Sequence, residues 1–185
     1  MRHHRVPLCP RPGAAGRRAV RLSLPRLFNK QAVSRQSELP DVGPLQEGDL
    51  CLTLERRLDG DPDRGWYPCY RFSMLHAANG ALMGRIDLRV GDSPTIQQYS
   101  GHIGYHVYPS YRGKRRAERA VRLLLPLARK LGFPALWITC NPENAASRIT
   151  CERLGATFIE TVDLPPGNDM YERGERRKMR FRLEL

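Results

Sequence analysis

The 185-residue chain is long enough for one domain with a proper core, and its 41% hydrophobic residues can fill it. The formal charge of +12 would ordinarily point to nucleic acid or an anionic surface, but residues 1–40 hold nine Lys and Arg against the single acid Glu38, a net +8, so that everything after them carries only +4. That placement makes the overall charge weak evidence for a nucleic-acid partner, and no stretch reaches the ~18 apolar residues of a membrane span.

Residues 1–40 are rich in Arg, Pro and small side chains and show no sustained apolar period, so a basic, disordered extension is expected there, ahead of one domain over 41–185. Its scarcity of acids leaves three readings open: a tail or over-extended gene start, an organellar targeting peptide, and a basic arm for RNA. The five cysteines, Cys9, Cys51, Cys69, Cys140 and Cys151, never form a C-x-x-C pair. Neither a metal site nor a disulfide framework is indicated, and reduced thiols in a soluble, cytoplasmic protein are the expectation.

From Gly48 the pattern turns strand-like. "DLCLTLERRL" alternates apolar and polar residues, and "DGDPDRG" breaks it with turn formers. "YPCYRFSMLHA" and "LMGRIDLRVG" read as a hairpin, because Asn79 and Gly80 between them tolerate the positive φ of a tight turn. "DSPTIQQYS" reads as a polar loop and "GHIGYHVYP" as a fourth strand. A helix follows, with Ala117, Ala120, Val121, Leu124, Leu127, Ala128 and Leu131 on one face, Pro126 inside it and Gly132 at its end. "ALWITC" is a buried strand, "NAASRITCERLG" a second helix, and "ATFIETVDL" and "RKMRFRLEL" closing strands. Hairpin strands followed by strands alternating with helices fit an α+β fold, a mixed, mostly antiparallel sheet of about seven strands covered by helices.

The junction of the fourth strand and the first helix is rich in chemistry. Gly113 stands among Arg112, Lys114, Arg115 and Arg116, where a helix start gathers unpaired N–H groups and positive dipole. An anion such as a phosphate fits there, and so does a plain solvated basic helix start.

This corner, the "ALWITC" strand and the N-x-x-S-x-x-x-C-E-R-L-G helix together resemble the GCN5-related N-acetyltransferases (GNAT), from roughly Asp49 to Leu185. The resemblance implies the acyl-CoA N-acyltransferase fold, with the family's first helical pair shortened to "DGDPDRGWYP". It also implies acetyl-CoA as cosubstrate and transfer of its acetyl group directly to a primary amine, of a small molecule or of a protein. The family's corner reads Q/R-x-x-G-x-G/A, so Arg112, Gly113, Lys114, Arg115, Arg116 and Ala117 fall on the pyrophosphate site, with Arg115 in place of the internal glycine. An outward-pointing arginine would add a charge-assisted bond to a phosphate. Asn144 matches the asparagine that reaches the pantetheine arm, with Ser147 one turn on, although Asn144 also suits a helix N-cap. Unpaired backbone near His106, Val107 and Tyr108 would hold the pantetheine and the thioester oxygen.

For proton transfer the pattern departs from the family. Cys151 stands where many relatives carry a tyrosine that protonates the thiolate, and it reads either as a weak acid or as a small core residue. Thr139 matches an acid that serves some relatives as base, and cannot itself ionise near neutrality. His102 falls where several relatives have a glutamate and is the candidate base; His106 lies four residues on, with Tyr105, Tyr108 and Tyr111 as further candidate acids or site walls. The acceptor side is completed either by the C-terminal segment with Asp169, Glu172 and Glu175 or by a second subunit in a homodimer. The departures keep open a second reading, a catalytically weak module that binds acyl-CoA or RNA.

Overall fold

The computed structural model describes residue 40, residues 43–61 and residues 67–185. The extension expected over 1–40 lies, but for Pro40, outside the described residues. A short β1 (Gln46–Glu47) turns into β2 (Leu50–Leu58), and β3 (Cys69–His76) and β4 (Leu82–Arg89) form the expected hairpin. At its tip Gly80, at φ +69°, donates its N–H to His76 O at 2.8 Å, and Asn79 Oδ1 accepts from Ala81 N–H at 3.1 Å. These are the turn residues' own chemistry.

β5 (Ile103–Val107) leads through a 3₁₀ turn (Pro109–Tyr111) into α1 (Arg116–Lys130), which runs on through Pro126. β6 (Ala135–Cys140), α2 (Ala145–Leu154), β7 (Thr157–Asp163), the short α3 (Asp169–Glu172) and β8 (Arg177–Glu184) follow. The sheet runs β1-β2-β3-β4-β5-β6-β8-β7, antiparallel throughout except where β5 and β6 pair in parallel across the α1 crossover. Among the described residues, no helix lies between β2 and β3, and no helix is long and apolar enough to cross a membrane.

Two differences from the sequence reading stand out. The sheet has eight strands, because Gln46–Glu47 adds a two-residue edge before the first expected strand. The polar stretch after β4 is not a loop but a π-helical segment, Ile96–Ser100. Its cause is local: Ser93 Oγ accepts the Ile96 N–H at 3.1 Å, and Ile96, fully buried, pins the segment to the protein.

The core forms where the apolar face of the sheet meets the helices. Leu50, Phe72, Met74, Met83, Ile86 and Leu88 from the strands meet Val121, Leu124 and Leu127 of α1 and Cys151 and Leu154 of α2. Each fully buried large side chain contributes roughly 1.5–3 kcal/mol. The helix periodicity therefore fixes how α1 sits on β5, and so where its amino-terminal turn points.

Candidate active site

The sheet opens where its two halves meet. β4 and β5 keep five registered pairs and β6 and β8 six, but β5 and β6 share only Ile103↔Ile138. Beyond that pair Gly104–Val107 and Thr139–Cys140 diverge, leaving a cleft in the sheet.

His102 closes the apex of the cleft. Its Nδ1 accepts the Trp137 N–H at 2.9 Å, and its Nε2 donates to Gly91 O at 3.0 Å, which fixes a neutral tautomer. His102 N–H donates to Trp137 O at 2.7 Å, and the ring meets Phe133 edge-on. The side chain is only 3% exposed, and burial pulls its pKa below the usual histidine value. Both ring nitrogens are thus committed to the backbone of neighbouring segments. In this arrangement His102, the expected base, presents no free ring nitrogen to the cleft and pins β5 to β6.

Along the cleft, alternation sorts the strand's groups. Tyr108 N–H donates to Met83 O of the β3–β4 hairpin at 2.9 Å, so His106 and Gly104 share its orientation toward β4, while the backbone groups of Tyr105 and Val107 face the opening. The expected free edge at His106, Val107 and Tyr108 is therefore shifted by one residue toward the apex. Gly84 lies against the same strand so closely that a Cβ there would run into the His106 carbonyl.

Side chains alternate in the same way. Tyr105 points to the helical face, where its hydroxyl sits 2.8 Å from Ser147 Oγ in the first turn of α2. Burial raises the pKa of the Cys140 thiol at the end of β6 and the nearby Ser147 side chain partly offsets the rise, so β5, α2 and β6 meet at this point. His106 points to the other face. There its ring meets that of Tyr108 at 5.4 Å, and Arg85, its cross-strand neighbour, donates to Glu55 Oε2 at 2.9 Å. Partial burial and the nearby Arg112 charge lower the His106 pKa, so the ring is neutral at pH 7.

At the mouth, Gly113 adopts φ +86° with open space where a Cβ would stand, and Arg115 caps α1 in the left-handed region at φ +52°. The glycine of the family pattern would suit Arg115's position on backbone grounds alone. The N–H groups of the first turn have no partner within the helix. Arg115 folds back onto that turn: its Nε and Nη2 donate to the two carboxylate oxygens of Glu118 at 2.8 and 2.7 Å. Arg122 adds a third bond to this carboxylate at 3.2 Å, and these partners hold its pKa below the usual range.

Arg116 serves a different end. It is buried, donating from Nη2 to Asp49 Oδ2 at 2.6 Å and from Nη1 to Tyr111 O at 2.8 Å, with its guanidinium over the Tyr111 ring. Arg119 donates to the second Asp49 oxygen at 2.7 Å. The Arg116 side chain is thus a strut that ties the helix start to the β1–β2 turn, and only its backbone N–H belongs to the corner. Arg112 donates from Nε to Val107 O at 3.0 Å, bridging corner and strand end, while Lys114 and Ala117 complete the exposed rim and the first turn.

Asn144 is the N-cap of α2: its Oδ1 accepts the Ser147 N–H at 3.1 Å, which leaves the amide N–H groups for another partner. Cys151 is fully buried in the core cluster, and burial pushes its thiol up to about 12. Of the two expected readings, weak acid and small core residue, that placement fits the second. Thr139 donates to Tyr99 O at 2.7 Å.

The corner thus follows the open end of β5, and the capped helix follows β6 directly. The family model of the acetyltransferase (GNAT) domain matches residues 19–157, more than half of the chain. The chain belongs to the GNAT acetyltransferase family. The match starts inside the 1–40 extension, ahead of the boundary expected at residue 41. No curated protein matches the sequence. Among solved structures, the GNAT-family acetyltransferase from Bacillus anthracis is 20% identical, over 62% of this chain and 65% of that one, with a TM-score of 0.48. The microcin C7 self-immunity acetyltransferase MccE, solved in complex with acetyl-CoA and AMP, is 17% identical over 63% of this chain and 61% of that one, with a TM-score of 0.49. An acetyltransferase from Salmonella typhimurium that modifies the N-terminal serine of the 50S ribosomal protein L7/L12 is 16% identical over 66% of each chain, with a TM-score of 0.48. The chain spans less than two-thirds of the length of the first of these.

Within this GNAT domain, sequence reasoning passed over the Asp49 clamp and the Glu118 carboxylate. Glu118 had a signal, an acid at the third helical position. Asp49, 67 residues from Arg116, had none.

Proposed function

We propose that the protein is an acetyl-CoA-dependent N-acetyltransferase that moves the acetyl group directly onto a primary amine. The observation that carries this reading is the β5–β6 cleft, open from Gly104 outward and flanked by the Gly113 helix start and the Asn144 cap. The open backbone groups of Tyr105, the Val107 N–H, the unpaired N–H groups of the first α1 turn and the free Asn144 amide fit the polar demands of coenzyme A. Phosphates belong at the helix start, supported by Arg112, Lys114 and Arg115, and the pantetheine arm along the edge of β5. The Val107 N–H is then the donor nearest the thioester oxygen.

The remaining chemistry is orientation and one proton. An amine entering from the face opposite the helices meets His106, whose lowered pKa keeps it neutral and able to accept the proton as nitrogen adds to the carbonyl carbon. The acceptor is a small-molecule or protein amine. In the C-terminal segment the expected acids are engaged within it: Arg173 pairs with Asp169 at 3.0 Å, Lys178 with Glu175, and Glu172 accepts from Gly167 N–H.

Isothermal titration with coenzyme A tests the reading. Binding at micromolar to submillimolar concentration is expected, together with thiol release from acetyl-CoA when a panel of primary amines and amino-terminal peptides is added. Absence of heat at millimolar ligand overturns it.

A further inference from the structure

We propose that the Tyr105 hydroxyl is the hydrogen-bond donor that receives the departing sulfur, from a strand position rather than from the helix position held here by Cys151. The inference rests on the coenzyme reading above and adds a residue to it. Its basis is geometric. Tyr105 lies two residues beyond the last registered β5–β6 pair, so an arm running inward from the Gly113 corner along the open edge of β5 passes Val107 and meets Tyr105 before the strands close at Ile103. The phenol crosses from β5 to the first turn of α2 and meets Ser147, three residues after Asn144. Ser147 in turn lies near enough to Cys140, on the other arm of the cleft, to offset part of the rise that burial gives that thiol's pKa. The hydroxyl is therefore held at the inner end of the opening by partners on both sides, one turn before the Cys151 position.

The chemistry needs a donor that stays protonated. As the amine nitrogen forms its bond to the carbonyl carbon, the C–S bond breaks and its electron pair passes to sulfur; the amine proton goes to His106. Burial raises the Tyr105 pKa well above the usual phenol range, and its bonds to Ser147 and Thr150 only partly offset this. The phenol then lends a hydrogen bond to the forming thiolate without surrendering its proton, and water protonates the thiolate as it leaves. Ser147 is the positioning partner: with its Oγ–H donating to the phenol oxygen, the single Tyr105 O–H is left to point at the sulfur. Cys151, fully buried, has no route to the sulfur.

Bound coenzyme A reports this contact without any acceptor. A hydrogen bond to a charged group lowers the pKa of the bound thiol by about one unit or more, a tenfold shift in its ionisation. The measurement is the pH dependence of thiolate absorbance, or of alkylation rate, for coenzyme A bound to the full chain, with binding itself followed separately by calorimetry. The wild-type chain is expected to lower the thiol pKa, Tyr105→Phe to bind coenzyme A and restore the free value, and Cys151→Ala to keep the lowered value. An unshifted thiol on the wild-type chain, or a shift that survives Tyr105→Phe, overturns the assignment while leaving coenzyme binding intact. A wild-type chain that gives no heat with coenzyme A overturns the underlying reading, and this one with it.

Discussion

The two ends of the β5–β6 cleft are built from similar residues to opposite purposes. At the apex, His102 has both nitrogens bonded to backbone, almost no exposed surface, and Gly101 packed at φ +66° against the Trp137 and Thr139 backbone. At the mouth, His106 keeps its nitrogens free of hydrogen bonds to the described residues, and Gly113 has open space around it. Two histidines four residues apart and of one parity, one just before β5 and one within it, are thus a structural pin and a candidate base. Residue type does not separate them; the number of partners does. A buried imidazole with two backbone bonds has no lone pair left for chemistry, whereas a half-buried one beside a cation is neutral and available.

The comparison breaks most readily at His106. His106→Ala is expected to lower turnover with the best amine by about a hundredfold or more, the usual weight of a general base. Coenzyme A affinity and melting temperature should stay near wild type. In the wild-type chain the acid limb of the turnover profile should fall below the ordinary histidine pKa, because burial and Arg112 depress this one. A turnover rate unaffected by the substitution assigns the proton to solvent and removes the distinction between the two histidines at the mouth.

At the apex the expected loss is of stability. His102→Ala strands the Trp137 N–H and the Gly91 carbonyl and removes the ring from Phe133, a cost of about 2–4 kcal/mol read by denaturant unfolding. His102→Gln, which retains one donor and one acceptor, should recover part of it. The pH dependence has a definite sign. Since burial lowers the folded-state pKa below the unfolded value of 6.5, the His102 contribution is complete above that value and is lost as pH falls through the folded pKa. His102→Gln should flatten the slope of stability against pH below about 6.5. His106, whose pKa is lowered as well, contributes a slope of the same sign, so a slope left unchanged by His102→Gln would remove His102 as its source.

Much of the fold was legible because it rests on short-range rules. The Asn79–Gly80 turn, the apolar stripe of α1 and the breaks at Gly132 and Gly155 each state their structure locally, and the order of elements then implies the sheet. The family pattern likewise placed the corner and the Asn144 helix. What stayed hidden depends on partners distant in sequence. Nothing around His102 announces that Gly91 and Trp137 will take both its nitrogens, nor around Arg116 that Asp49 will draw it under the helix. The Tyr105–Ser147 bond spans 42 residues and joins a strand to a helix that only the completed sheet brings together. The π-helical segment was missed for a related reason. One buried Ile96 in a polar stretch has no periodicity to reveal it.

Arg115 sits at the boundary of the two regimes and carries the smallest predicted effect. Its guanidinium holds Glu118, a nearly buried carboxylate in the first turn of α1, close to where the helix start would attract a phosphate. Arg115→Ala removes one of the two cations that neutralise this carboxylate, so coenzyme A affinity should fall by about two- to fivefold, the scale of an exposed ion pair. Arg115→Gly should weaken binding to the same extent and yet raise the melting temperature, because glycine accepts φ +52° without the strain that an L side chain meets there. Pairing each change with Glu118→Gln identifies the route. If Arg115 acts by screening the carboxylate, neutralising Glu118 cancels most of the loss; if the guanidinium instead swings out to a phosphate, the loss persists in the Glu118→Gln background and declines with added salt. The geometry favours cancellation, since both Glu118 oxygens are already engaged by Arg115 in the free protein. A glycine variant that binds coenzyme A more tightly than wild type would show that the side chain obstructs the corner, and would place Arg115 with neither the pin nor the mouth.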